Sequence, residues 1–150
     1  MASEEKRTME MSDEAHEALG RLWVGTVEAG RSRMVSVDGT EPSTLWELRA
    51  RGYVSSDEDG TRLTWEGVEQ AEAIIRRRRI AEVFIRDALG LPCPEEGSSG
   101  PVSDLERLLR DPRIEEIICS RSGHPKECPH GRPIPPGRCC SATGLEVYVL

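Results

Sequence analysis

Residues 124–140, HPKECPHGRPIPPGRCC, limit the fold more than any other part of the chain, because five prolines and two glycines fall within them. Proline lacks an amide donor and fixes its own backbone angle, so this segment cannot continue a helix and must run as a rigid loop. It also carries Cys128, Cys139, Cys140, His124 and His130, and Cys119 lies just upstream. Thiols beside imidazoles are the donor set of zinc, iron or an iron-sulfur cluster.

At 150 residues the chain suits one domain, or two small ones sharing a core, and needs no covalent staples. With one Phe, two Tyr and three Trp, that core has to be assembled from Leu, Ile, Val and Ala. The formal net charge of -7 argues against a general polyanion binder. Affinity for phosphate backbones comes from Lys and Arg, so only a local basic face remains open. Apolar runs are short and broken by charge, and MASEEKRTMEMSDE lacks the apolar centre of a signal peptide. The expectation is a cytoplasmic protein with no membrane partner. Five cysteines, an odd number, are then expected as free thiols or ligands rather than disulfides. Cys93, between Pro92 and Pro94, is left out of any site.

Residues 1–11 are charged and unpatterned, which reads as a disordered arm. From Ser12, a possible N-cap followed by acidic residues, Ala15, Leu19, Leu22, Trp23 and Val27 recur at helical spacing up to Gly30. Pro42 opens a second helix that Gly52 ends. YVSSDEDGTRLTWEG then gives a β-hairpin around Asp59 and Gly60. Helix, short helix and hairpin form a winged helix-turn-helix, with the hairpin as the wing. A long helix runs from about Glu66 to Leu89, and GLPCPEEGSSGP is a linker. Helical stretches at 102–110 and 113–119 lead into the cysteine loop, and LEVYVL suits a short closing strand. The fold class is mainly α with a small β part: a winged helix over 12–65, a helical domain over 66–123 and a Pro/Cys-rich loop and tail over 124–150.

Three readings of the loop stay open: a metal or cluster held by Cys119, Cys128, Cys139 and Cys140, with His124 and His130 as replacement ligands, a structural strap with incidental thiols, or a redox-sensing thiol pair. No Cys-x-x-Cys knuckle is present, and adjacent cysteines ligate together only with an awkward backbone, so three of the four are expected to serve. The three histidines form no local nucleophile signature, and no phosphate-cradling glycine loop occurs, so no enzyme is expected.

The order of elements, with RLTWEGVEQAEAIIRRRRIAEVFIRDALGL and GHPKECPHGRPIP, resembles the iron- and manganese-dependent repressors of the diphtheria-toxin-repressor type over about Asp13 to Cys140. A Cys-rich subgroup is similar in its "PPG.CC" ending. The resemblance implies a DNA-binding winged helix, a helical domain that dimerises and binds metal, and repression when metal is bound. Carried over by position, the family's metal site falls on Glu17, Arg78, Glu82, Ser103, Glu106 and Arg107. The glutamates persist, both aligned histidines are arginines, and the soft ligand is a serine. A guanidinium has no lone pair to give a cation, so this position is expected to be metal-free. The arginines either supply fixed charge in place of the ion or form a solvated helix face.

For double-stranded DNA the candidate contacts are Ser43, Thr44, Arg49 and Arg51, with Arg31 and Arg33 toward phosphates and Arg62 on the wing. Between Gly30 and Gly52 there is barely room for a support helix plus a reader, and the wing tip is acidic. The leading expectation is a homodimeric DNA-binding regulator, with sensing moved to the C-terminal cysteines. The alternative is a metal, iron-sulfur or redox interaction module on a winged-helix scaffold without specific DNA binding.

Overall fold

The computed structural model describes residues 10–33, 40–92 and 100–140. Most of the expected arm, Asp38 and Gly39, Cys93 with most of the linker, and the expected closing strand lie outside the described residues. Two compact units divide the chain, Met1–Ile74 and Ile75–Leu150, so the division falls inside the long helix rather than at its start.

In the first unit, α1 (Asp13–Trp23) is capped by Ser12, whose Oγ accepts from the Ala15 amide at 3.2 Å. Glu47 of α2 (Pro42–Ala50) holds that end in place by accepting from the Ser12 amide at 3.0 Å and from its hydroxyl at 2.7 Å. Ala15, Ala18, Leu19 and Leu22 are buried along one stripe. Val27, expected on the same stripe, is 44% exposed. The cause is a π-helical turn at Val24–Glu28, which inserts an extra residue and rotates the chain beyond it. Thr26 turns inward instead, and its hydroxyl donates to the Leu22 carbonyl at 2.6 Å. Met11, assigned to the arm by sequence, is also buried.

The wing is β1 (Val54–Asp57) paired antiparallel with β2 (Gly60–Leu63), in register Val54 to Leu63 and Asp57 to Gly60. Glu58 and Asp59 therefore form the turn, and Gly60 is a paired residue. The helix α3 (Trp65–Asp87) follows at once. Thr64 caps it by accepting from the Gly67 amide at 3.1 Å, while the Thr64 amide donates to the Tyr53 carbonyl at 3.0 Å. A side chain at Gly67 would run into that same carbonyl, so glycine is what lets the helix start against the strand.

In the second unit, Ile80, Ala81, Val83 and Ile85 of α3 pack with Val102 and Leu109 from the region of α4 (Pro101–Leu108), Cys119 of α5 (Pro112–Arg121), and Cys128 and Ile134 of the loop. The loop is a strap laid on α3. Proline carbonyls have no amide of their own to form a ladder, and arginines of α3 satisfy two of them. Arg79 donates to Pro133 O at 2.6 Å and Arg76 to Pro135 O at 3.1 Å. The reading of RRRR as a solvated face fails here, because Arg76 and Arg79 are only 4% and 2% exposed.

Candidate metal centre

The C-terminus of α5 builds one corner of the site. Ser122 caps the helix, the Gly123 amide donates to Ser120 O at 3.0 Å, and the His124 amide donates to Cys119 O at 2.9 Å. This double closure with Gly123 at φ 78 is a Schellman cap. It reverses the chain within two residues and leaves His124 at φ 49, the one non-glycine residue in the left-handed region among the described residues. Held there, His124 Nδ1 lies 3.5 Å from Cys119 Sγ.

The end of the strap supplies the other corners. Cys140 Sγ lies 3.6 Å from Cys119 Sγ and 3.7 Å from His124 Nδ1, and Cys139 Sγ lies 3.9 Å from Cys140 Sγ. A tetrahedral zinc ion separates two thiolates by about 3.8 Å and a thiolate from an imidazole nitrogen by about 3.6 Å, given its bond lengths. Packed thiols touch at similar distances. The decisive feature is that all four donor atoms lie within 4.8 Å of one another.

Arg76 sets the electrostatics. Its Nη1 is 3.7 Å from Cys140 Sγ and its Nη2 is 3.5 Å from Cys139 Sγ, while its Nε donates to Glu115 at 2.6 Å. Burial opposes the guanidinium charge, but Glu115 and the neighbouring thiol outweigh it and raise the group above its ordinary value. Burial also acts against a Cys140 thiolate, yet the Gly137 amide, His124, Cys119 and Arg76 together bring that thiol down to about 6. Burial pushes Cys119 up to about 12, with Arg76 opposing. Gly137 has its own reason to lack a side chain, because the Arg76 guanidinium lies where a Cβ would sit.

Of the four thiols expected together, three converge. Cys128 instead sits with Glu82 and His130 in a second group. The adjacent pair Cys139 and Cys140 both contribute, and His124 completes the set. Its place followed from a helix cap, which the Ser-Gly-His run does encode.

The residues aligned with the family's metal site have other partners. Glu106, 5% exposed, accepts from Arg110 Nε at 2.9 Å and lies 4.0 Å from Arg77 Nε. Arg107 was expected in that role, but it lies on the outer side of α4, paired with Asp104 at 3.0 Å. Arg110 follows Glu106 by one turn and shares its face. Ser103 Oγ is buried without a hydrogen-bond partner, Arg78 is half-buried, and Glu82 accepts from His130 at 3.0 Å. Glu17 is exposed on α1 in the first unit. Guanidinium groups engage the Glu106 carboxylate and have no lone pair to offer a cation.

The expected DNA contacts fall in the first unit. Ser43, Arg49, Arg31 and Arg62 are exposed, with Arg62 Nε donating to Ser55 Oγ at 3.2 Å. Arg33 pairs with Asp57 at 3.4 Å and Asp59 at 3.2 Å, which offsets the acidic wing tip. Arg51 lies 3.7 Å from Glu47. Thr44 is corrected: it is 7% exposed and packs inward with Leu48, one turn on, so it cannot reach a base.

A winged helix precedes a helical unit in which candidate metal donors come together. Residues 64–136 match the family model for the iron dependent repressor, metal binding and dimerisation domain. By that match, residues 64–136 are similar to the metal-binding and dimerisation domain of the iron-dependent repressors. Among solved structures, ScaR with bound Zn2+ is similar with a TM-score of 0.60 and 25% identity, over 81% of this chain and 59% of that one. A manganese-dependent transcriptional repressor in complex with manganese gives 0.59 and 27%, over 83% and 59%. The chain thus spans less than two thirds of the length of both. No curated protein matches it. Among the described residues no helix is long and apolar enough to cross a membrane.

Proposed function

We propose that this chain is a dimeric, metal-responsive transcriptional regulator of double-stranded DNA that senses its ion at Cys119, His124, Cys139 and Cys140. The observation that carries this reading is the convergence of three thiols and one imidazole, with Cys119 and His124 inside the residues that match the family's metal-binding domain and Cys139 and Cys140 just beyond them. A cluster spreads its protein ligands over two or more irons, so four donor atoms all within 4.8 Å of one another suit a single ion, zinc or ferrous iron, better than an iron-sulfur cluster. Bound, the ion would supply a fixed positive charge joining α5 to the end of the strap. Three thiolates and one divalent cation leave one negative charge, which Arg76 is placed to offset.

The position aligned with the family's metal site is taken over by fixed guanidinium charge on Glu106 from Arg77 and Arg110. Sensing therefore moves to softer ligands, which disfavour manganese. DNA contact would fall to Ser43 on α2, with the exposed Arg31, Arg49 and Arg62 toward phosphates, while Arg33 and Arg51 stay paired with acids of the same unit.

The test is selection of binding sequences from a random duplex pool, followed by affinity measurements with zinc, with ferrous iron under anaerobic conditions, and after chelation. Metal should tighten binding, and a Cys119→Ser/Cys140→Ser variant should lose that response while keeping its fold by circular dichroism. Metal uptake without any selected sequence would favour an interaction module. No uptake in the anaerobic protein would end the sensing role.

A further inference from the structure

Two sulfurs of the candidate centre that are far apart in sequence touch. Cys119 Sγ and Cys140 Sγ lie 3.6 Å apart across 21 residues, so a shift of about 1.5 Å at the strap end would bring them to the roughly 2.05 Å of a disulfide. Cys139 Sγ is also 3.9 Å from Cys140 Sγ, but a bridge between sequence neighbours would twist the planar peptide bond that joins them. The contacting partners are unequally accessible, because Cys119 is fully buried on α5 whereas Cys140 is half-buried. A fixed positive charge stands beside the outer sulfur. Arg76 Nη1 is 3.7 Å from Cys140 Sγ, and Arg76 is itself buried and anchored on Glu115 and the Pro135 carbonyl. His124 Nδ1 reaches both sulfurs, at 3.5 Å from Cys119 and 3.7 Å from Cys140.

An accessible sulfur beside a cation, with a second sulfur in reach, is the layout of a thiol oxidised by peroxide and its resolving partner. We propose that Cys119 and Cys140 are an oxidation site, which hydrogen peroxide closes to a reversible disulfide when no ion is bound. The Cys140 thiolate attacks one peroxide oxygen and the O–O bond breaks. Hydroxide leaves, collects the proton that the thiol gave up, and Cys140 becomes a sulfenic acid. Cys119 then attacks the Cys140 sulfur, its proton passing through His124 Nδ1 to the departing hydroxide. The S–S bond forms as the S–O bond breaks, and water leaves. Two thiols and one peroxide thus give one disulfide and two waters, and a small dithiol reverses the step by exchange. The bridge consumes two of the four donors and leaves only Cys139 and His124, too few to hold the ion. That regulatory consequence rests on the sensing role proposed above, whereas the disulfide itself does not.

The full chain, reduced and metal-free, is given a stoichiometric pulse of hydrogen peroxide, and the remaining thiols are alkylated and mapped by peptide mass spectrometry. A link between the peptides bearing Cys119 and Cys140 is expected, reversed by dithiothreitol, with Cys93 and Cys128 still alkylated. Cys119→Ser should stop at a Cys140 sulfenic acid that dimedone traps. Cys139→Ser should keep the link. Cys140→Ser changes a half-buried position, so it should abolish the link and keep the fold even if Cys119→Ser, in the core, does not. A Cys139 to Cys140 bridge as the main product overturns the proposal, as do unlinked Cys140 sulfinic acid and equal oxidation of all the thiols. The same pulse after loading with zinc separates this inference from the sensing role. With free zinc at about ten times its Kd, linkage should slow about ten-fold, because only the metal-free fraction reacts. Linkage as fast in the zinc-loaded chain overturns the competition between oxidant and ion. A chain that takes up no zinc yet joins Cys119 to Cys140 loses the sensing role and leaves the disulfide standing.

Discussion

Cys119 and Cys140 touch, yet their surroundings drive them apart. Burial keeps the Cys119 proton on up to about pH 12, while the Gly137 amide, His124 and Arg76 overcome burial at Cys140 and bring it from 9.0 to about 6. Of this pair, Cys140 is therefore the thiolate at neutral pH. Cys140 ionises more easily folded than unfolded, so its contribution to stability is full above pH 9.0 and is lost as pH falls through about 6. Cys119 runs the other way: its contribution is full below pH 9.0 and is lost as pH rises through about 12. Thermal stability of the metal-free protein should climb from pH 6 toward 9 and decline beyond it, and Cys140→Ser should flatten the lower limb. Alkylation read by peptide mass spectrometry checks the assignment. Cys140 should label with a midpoint near pH 6 and Cys119 should resist up to pH 10; equal labelling of the two would refute it. Arg76→Gln should move the Cys140 midpoint upward.

The elements were largely legible in the sequence because each has a local cause. Ser12 and Asp111 cap their helices, Pro42, Pro101 and Pro112 sit in first turns, and Gly30, Gly52 and Gly90 take positive φ where helices stop. What sequence spacing could not show was how arginine would be used. Four consecutive arginines look solvated by composition, but two of them supply donors that a proline-rich strap needs, a demand that arises only after the strap and α3 meet. The π-helical turn was hidden for a similar reason, since Val27 and Thr26 exchange places through backbone hydrogen bonding rather than hydrophobicity. Gly67 tests the element scale directly. Replacing a helical glycine by alanine ordinarily gains about 1 kcal/mol. Here the added Cβ meets the Tyr53 carbonyl, so Gly67→Ala should instead destabilise the first unit by about 1–3 kcal/mol. A denaturant melt showing a gain would mean that α3 starts free of β1.

At the scale of the whole molecule, a chain of net charge -7 can bind DNA only through a small positive face, and that face can be counted. Of the six arginine and serine candidates that remain, Arg33 is engaged by Asp57 and Asp59, and Arg51 by Glu47. Arg31, Arg49 and Arg62 are exposed. Each phosphate neutralised on duplex DNA contributes about -0.9 to the slope of log affinity against log salt. Three arginines from each of two protomers then give a slope of about -5, against roughly -3 for a monomer and a much steeper value for a repressor whose whole face is basic. Fluorescence anisotropy across a salt series, on the duplex recovered by selection and with the metal-loaded protein, measures this. Arg49→Ala should flatten the slope by about 2 in a dimer and about 1 in a monomer, so the same titration reports the oligomeric state on DNA. A slope near zero would show that the winged helix has kept its core and given up the phosphate backbone, leaving its thiol-bearing unit to act through another partner.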